Sequence, residues 1–241
     1  MKLQYVSLLA AISFSFAVPP LSAQWVETNG PFNPFTAGRC TVTGLASDSA
    51  GLFAATVGVY CTTDSGILWQ RASAGLTTNA IESVASDGHY LFAGAAGGMG
   101  VFRSSDNGAS WARVDSGFTL GDVGPFAFLD SATFFGSNGV YKSTDHGVTW
   151  SRAGLSNYGV YALAVKGTEL FAGTYDSVYR STDQGLSWTG LNMDLYGYQI
   201  PYFGKPALAV SGQNIFAGSP LGVHLSTDDG NTWSVVVNSY R

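Results

Sequence analysis

Apolar residues in this chain come in short runs broken by turns rich in glycine and aspartate. One stretch shows the pattern in full. Tyr158-Gly159-Val160-Tyr161-Ala162-Leu163-Ala164-Val165 reads as a strand and Lys166-Gly167-Thr168 as a turn. Glu169-Leu170-Phe171-Ala172-Gly173-Thr174 is a second strand, Tyr175-Asp176 a turn and Ser177-Val178-Tyr179-Arg180-Ser181 a third strand. A further turn leads to Ser187-Trp188-Thr189 as a fourth. Short strands at even spacing, with no sustained helical period anywhere, predict an all-β chain rather than βαβ units.

The turn before the fourth strand recurs. Its copies run from Thr62 through Asp64 and Gly66 to Trp69, from Ser104 through Asp106 and Gly108 to Trp111, and from Ser143 through Asp145 and Gly147 to Trp150. Two more run from Ser181 through Asp183 and Gly185 to Trp188, and from Ser226 through Asp228 and Gly230 to Trp233. The tryptophans step by 42, 39, 38 and 45 residues. A fixed period of this size marks a repeat architecture, because one unit alone cannot bury its apolar faces. Within each copy the aspartate can accept backbone N–H bonds across the turn. The glycine supplies a positive φ, and the tryptophan brings a large apolar area to the space between units. Residues at the same place in every copy read as scaffold, not as active site. The second strand recurs too, as in Tyr90-Leu91-Phe92-Ala93-Gly94 and Asn214-Ile215-Phe216-Ala217-Gly218, with small residues suited to close sheet packing.

The pattern Ser-x-Asp-x-Gly-x-Thr-Trp resembles the Asp-box, or bacterial neuraminidase repeat, over about residues 25–241. The resemblance implies a β-propeller of about five four-stranded blades. It places the box between the third and fourth strands, on the face away from the ligand site. Proteins with this repeat include sialidases, xyloglucan hydrolases, sortilin-type receptors, photosystem assembly factors and many secreted bacterial proteins, so it implies a fold and not a chemistry. Blades are expected at about 41–73, 80–115, 122–154, 159–190 and 205–238. Trp25-Val26 matches a sixth fourth strand without its other three. A closed five-bladed ring with one spare strand is the expectation, since closure hides sheet edges; an open or truncated array is the alternative.

Residues 1–23 read as a secretory signal peptide: Lys2, an apolar run too short to span a bilayer, then Leu21-Ser22-Ala23 before Gln24. The mature chain, 24–241, is expected as one propeller domain, a secreted monomer without membrane insertion. The formal net charge is −5, and one unit more negative without Lys2. That balance argues against nucleic-acid partners. Export would allow Cys40 and Cys61 to pair. One precedes the first strand of the first unit and the other lies inside its third, which are not neighbours, so free thiols are expected and a disulfide is the alternative.

Candidate chemistry lies in two long loops on the face where the resemblance places the ligand. One holds Phe35 and Arg39; the other holds Asp194, Tyr196, Tyr198, Tyr202 and Lys205. Aromatic faces with scattered polar groups suit a carbohydrate or protein ligand; covering the seam between the chain ends is the other reading. A glycosidase needs two close carboxylates. Glu82 is the sole acid well inside an inner strand and has no obvious partner, and Arg71, Arg113 and Arg152 recur on outer strands. His89, His146 and His224 show no metal-ligand spacing, so no metal or cofactor is expected. The reading is therefore a non-catalytic binding module. A sialidase-like glycoside hydrolase and a structural fragment of a larger surface protein are the alternatives.

Overall fold

The structure, a computed structural model, describes residues 30–31, 41–118, 121–191, 205–219 and 222–238. They form five four-stranded antiparallel sheets in sequence order, and no helix is among them. Blade one contains β1 (Gly44–Asp48), β2 (Gly51–Thr56), β3 (Gly58–Thr62) and β4 (Gln70–Arg71). Blade two contains β5 (Ile81–Ser86), β6 (Leu91–Ala95), β7 (Val101–Ser104) and β8 (Ala112–Arg113). Blade three contains β9 (Phe126–Leu129), β10 (Ala132–Ser137), β11 (Gly139–Ser143) and β12 (Ser151–Arg152). Blade four contains β13 (Val160–Lys166), β14 (Glu169–Thr174), β15 (Val178–Ser181) and β16 (Thr189–Gly190). Blade five contains β17 (Ala207–Ser211), β18 (Asn214–Ser219), β19 (Gly222–Ser226) and β20 (Ser234–Asn238).

The second strand of a blade is apolar on both faces because both are covered. Phe53, Phe92, Phe134, Phe135 and Phe171 are fully buried there. Each interface between successive blades holds its own buried cluster. Phe53, Val59, Ile81 and Trp111 join blades one and two, and Phe92, Val101, Phe135 and Trp150 join two and three. Phe134, Val140, Val160 and Leu170 join three and four, and Phe171, Val178, Leu208 and Ile215 join four and five. Small residues at the end of the second strand allow this approach. A Cβ on Gly136 would lie 2.7 Å from Val160 Cγ1 and 2.8 Å from its carbonyl oxygen. No comparable cluster joins blade five to blade one among the described residues, and their sheets are not hydrogen-bonded to each other. The expected closed ring is thus not seen there.

The box turns share one geometry. Ser104 Oγ donates to Asp106 Oδ1 at 2.7 Å and accepts the Gly108 N–H at 2.9 Å. Asp106 Oδ1 then accepts the Ser110 N–H at 2.8 Å, and Oδ2 accepts the Ser110 hydroxyl at 2.5 Å. Asp145, Asp183 and Asp228 repeat the set, while Asp64 takes Thr62 and the Leu68 N–H. The turn needs two left-handed residues: Asn107 at φ 56° precedes Gly108 at φ 83°, and His146 at φ 57° precedes Gly147 at φ 79°. The sequence signals only the glycine.

The fourth strands of blades one to four are shorter than the pattern suggested. Trp150 and Trp188 end the turn, and only the two residues after them pair with the third strand. In blades two and three the reason is visible. The Trp111 and Trp150 backbone N–H groups donate at 2.8 Å to Ala74 and Ser116 of the preceding blade, not to their own sheet.

Candidate functional site

In a four-stranded meander, alternate connections emerge at opposite ends. The boxes occupy one end of every blade, so the links from second to third strand and from fourth strand to the next blade share the other. On that open face two inner strands are irregular. The β5 register steps from Ile81 to Ser83, leaving Glu82 as an extra residue. The β13 register steps from Val160 to Ala162, leaving Tyr161 extra. A bulge of this kind re-aims a side chain.

Both re-aimed residues meet Lys205, which leads into blade five. Lys205 Nζ is 3.0 Å from Glu82 Oε2 and 5.9 Å from the centre of the Tyr161 ring. The Tyr161 ring lies 4.3 Å from that of Tyr175, a half-exposed residue in the turn between β14 and β15. Elsewhere in blade four the Tyr158 and Tyr179 rings are 5.2 Å apart, and Tyr179 donates to Asp176 at 3.3 Å. Burial, the bond with Tyr158 and the charge of Asp176 all push the Tyr179 hydroxyl up from its ordinary value. Blades two, four and five thus bring the Glu82–Lys205 ion pair and the Tyr161–Tyr175 ring pair together. The arrangement offers flat apolar faces with a few fixed polar atoms, the chemistry of a stacking site.

The loop candidates Phe35, Arg39, Asp194, Tyr196, Tyr198 and Tyr202 lie outside the described residues, as do Cys40, Trp25 and residues 1–23. Lys205, from the same loop, is described. It supplies the partner that Glu82 lacked in the sequence. Cys61 is a free, half-buried thiol whose pKa burial raises. The recurrent arginines are held on outer strands: Arg71 donates to Asn79 at 2.7 Å, Arg113 pairs with Asp115 at 2.6 Å, and Arg152 reaches Tyr141 Oη at 2.8 Å. The glycine-rich run after β6 is a turn, with the Gly97 N–H donating to Asp122 at 2.6 Å. Among the described residues no group of three or more His, Cys, Asp or Glu is placed to hold a metal.

The sequence reading passed over Tyr158, Tyr161, Tyr175 and Tyr179 as ordinary strand and turn residues. One signal was available. By sheet register, the place just before the paired part of the inner strand holds Thr43, Glu82, Gly124, Tyr161 and Pro206 in the five blades. Five different residues at one repeat position mark a place the scaffold does not dictate.

Five stacked four-stranded meanders, each with its third and fourth strands joined by an Asp-box, define a β-propeller. The family model for the BNR/Asp-box repeat matches residues 141–152, the third box and its flanks. Similar solved structures include a GH74 enzyme of Niastella koreensis, 20% identical with a TM-score of 0.63 over 80% of this chain and 38% of that one. The extracellular domain of BT4673 from B. thetaiotaomicron is 17% identical with a TM-score of 0.64, over 84% of this chain and 28% of that one. YCF48 bound to D1 peptide is 13% identical with a TM-score of 0.59, over 83% and 68%. The chain therefore spans well under half the length of the first two, and likeness at such identities shows the fold alone. No curated protein matches the sequence. No helix among the described residues is long and apolar enough to cross a membrane.

Proposed function

We propose that this protein is an exported, non-catalytic binding module that holds a carbohydrate ligand on its open face. The convergence of Tyr161, Tyr175 and the Glu82–Lys205 pair carries the reading. Sugar rings stack on tyrosine faces, and a fixed carboxylate–ammonium pair can orient hydroxyl groups without cleaving a bond. Export is supported by the apolar N-terminal run after Lys2 and by the extracellular origin of one structural neighbour. Hydrolysis is the rival. It is motivated by the GH74 neighbour, while Glu82 is engaged by Lys205 and the recurrent arginines are committed on outer strands.

A glycan array probed with purified 24–241 tests the proposal. Binding is expected, and Tyr175→Ala should weaken it about tenfold, equivalent to about 1.4 kcal/mol, with an unchanged melting temperature. No bound glycan, or affinity indifferent to that substitution, removes the carbohydrate reading. Release of reducing ends from xyloglucan, or of fluorophore from a sialoside, replaces it with the hydrolase. Binding of peptides alone makes it a protein-ligand module.

A further inference from the structure

Trp69 differs from the box tryptophans that follow it. Trp111, Trp150 and Trp188 each send the ring N–H to the preceding blade, to the carbonyls of Ala72, Val114 and Ala153 at 2.8, 2.7 and 2.8 Å. The acceptor is always three residues past the preceding box tryptophan. It also returns its own N–H to its own blade: Ala72 donates to Val59, Val114 to Val101 and Ala153 to Val140. Trp233 uses Gly230 of its own turn instead, at 3.0 Å. Trp69 Nε1 is buried with no acceptor among the described residues. Native structures rarely leave a buried N–H unmatched.

Two chain positions could supply the missing carbonyl by the same rule: Thr28, three past Trp25, and Val236, three past Trp233. Blade five is poorly built for the task. Its register steps from Val223↔Val237 to His224↔Val235, so Val236 is a bulged residue. The strand also runs for five residues along β19, whereas the other fourth strands stop after two. Thr28 is well placed by tether. Pro31, three residues on, is buried, which keeps Thr28 within about 10 Å of the body of the protein. The stretch Trp25-Val26-Glu27-Thr28 also matches Trp69-Gln70-Arg71-Ala72 in spacing.

We propose that the flank of blade one is covered by the chain's own residues 25–28, laid down as a lone fourth strand with the Thr28 carbonyl accepting the Trp69 ring N–H. Blade one then receives from this segment what each of the next three blades receives from its predecessor. The outer flank of blade five stays independent of it.

NMR of 24–241 with ¹⁵N-labelled tryptophan tests this. The Trp69 ring proton should show NOEs to Thr28 and Asn29. Its exchange with D₂O should quicken at least about tenfold when residues 24–29 are deleted, with Trp111 and Trp150 unchanged. If the shortened chain does not fold, the NOE measurement on 24–241 decides alone. NOEs to residues 234–238 overturn the proposal in favour of closure by blade five. Protection that falls on dilution replaces the segment with a second copy of the chain. Contacts with neither segment also sink it.

Discussion

The five box aspartates act through hydrogen bonds with little burial. At Asp106 the Ser110 hydroxyl and then the Ser104 hydroxyl hold the carboxyl down at about 2. At Asp183 the hydroxyl and N–H of Ser187 lead, again to about 2. At Asp145 burial pushes the other way, but Ser143 and Thr149 outweigh it and the value also falls to about 2. The ordinary value is 3.8, so in acid the folded chain binds fewer protons than the unfolded one. The stability these bonds contribute is therefore full above the ordinary value and is lost as pH falls toward 2. Melting temperature should be level from pH 7 to about 5 and drop steeply below about 4; a flat profile down to pH 2.5 would contradict the role given to the carboxylates. Trp150→Phe should cost about 1–3 kcal/mol by leaving the Val114 carbonyl without its donor. Trp150→Ala should cost about 3–5 kcal/mol, because the ring also fills the cluster between blades two and three. Urea denaturation would show both; no loss on Trp150→Phe would mean that the hydrogen bond adds nothing, and equal losses that the packed ring adds nothing beyond it.

At the scale of the strand and turn, the meander was legible and its details were not. Short apolar runs and the recurring turns placed four strands per unit. The position of the tryptophan at the end of the turn was hidden, because it depends on a carbonyl of another blade about 35 residues away. The glycine closing the second strand is likewise explained only by its neighbour. Gly136→Ala should destabilise by about 1–3 kcal/mol, since its new methyl would meet Val160 of the next blade. Gly218 holds the same place in blade five, where an added Cβ would meet nothing nearer than Ala207 at 3.5 Å. Gly218→Ala should then change stability by less than about 0.5 kcal/mol. A loss as large as at Gly136 would reveal a sheet packed on blade five and restore the closed ring.

Among the described residues each buried cluster joins two consecutive blades, and such arrays gain stability from neighbour to neighbour. The Glu82–Lys205 pair breaks that rule by joining blade two to the entrance of blade five. Its lysine is more exposed than not, at 58%, so the pair should contribute little to folding. Glu82→Gln is expected to shift stability by less than about 1 kcal/mol while lowering ligand affinity on the open face. A large stability loss with unchanged binding would make the pair a structural strut and weaken the site.

Local chemistry determined the class of this protein. Short apolar runs, a left-handed glycine, a carboxylate two residues before it and a tryptophan at a steady period follow from the needs of one turn, and they recur wherever that turn recurs. The open face was decided elsewhere. Glu82, Tyr161 and Lys205 lie 79 and 44 residues apart in sequence, and two bulges turn the first two toward the third. A bulge arises when a strand must satisfy both its own sheet and the blade beside it. That compromise exists only once the blades are stacked, so no single repeat carries a sign of it.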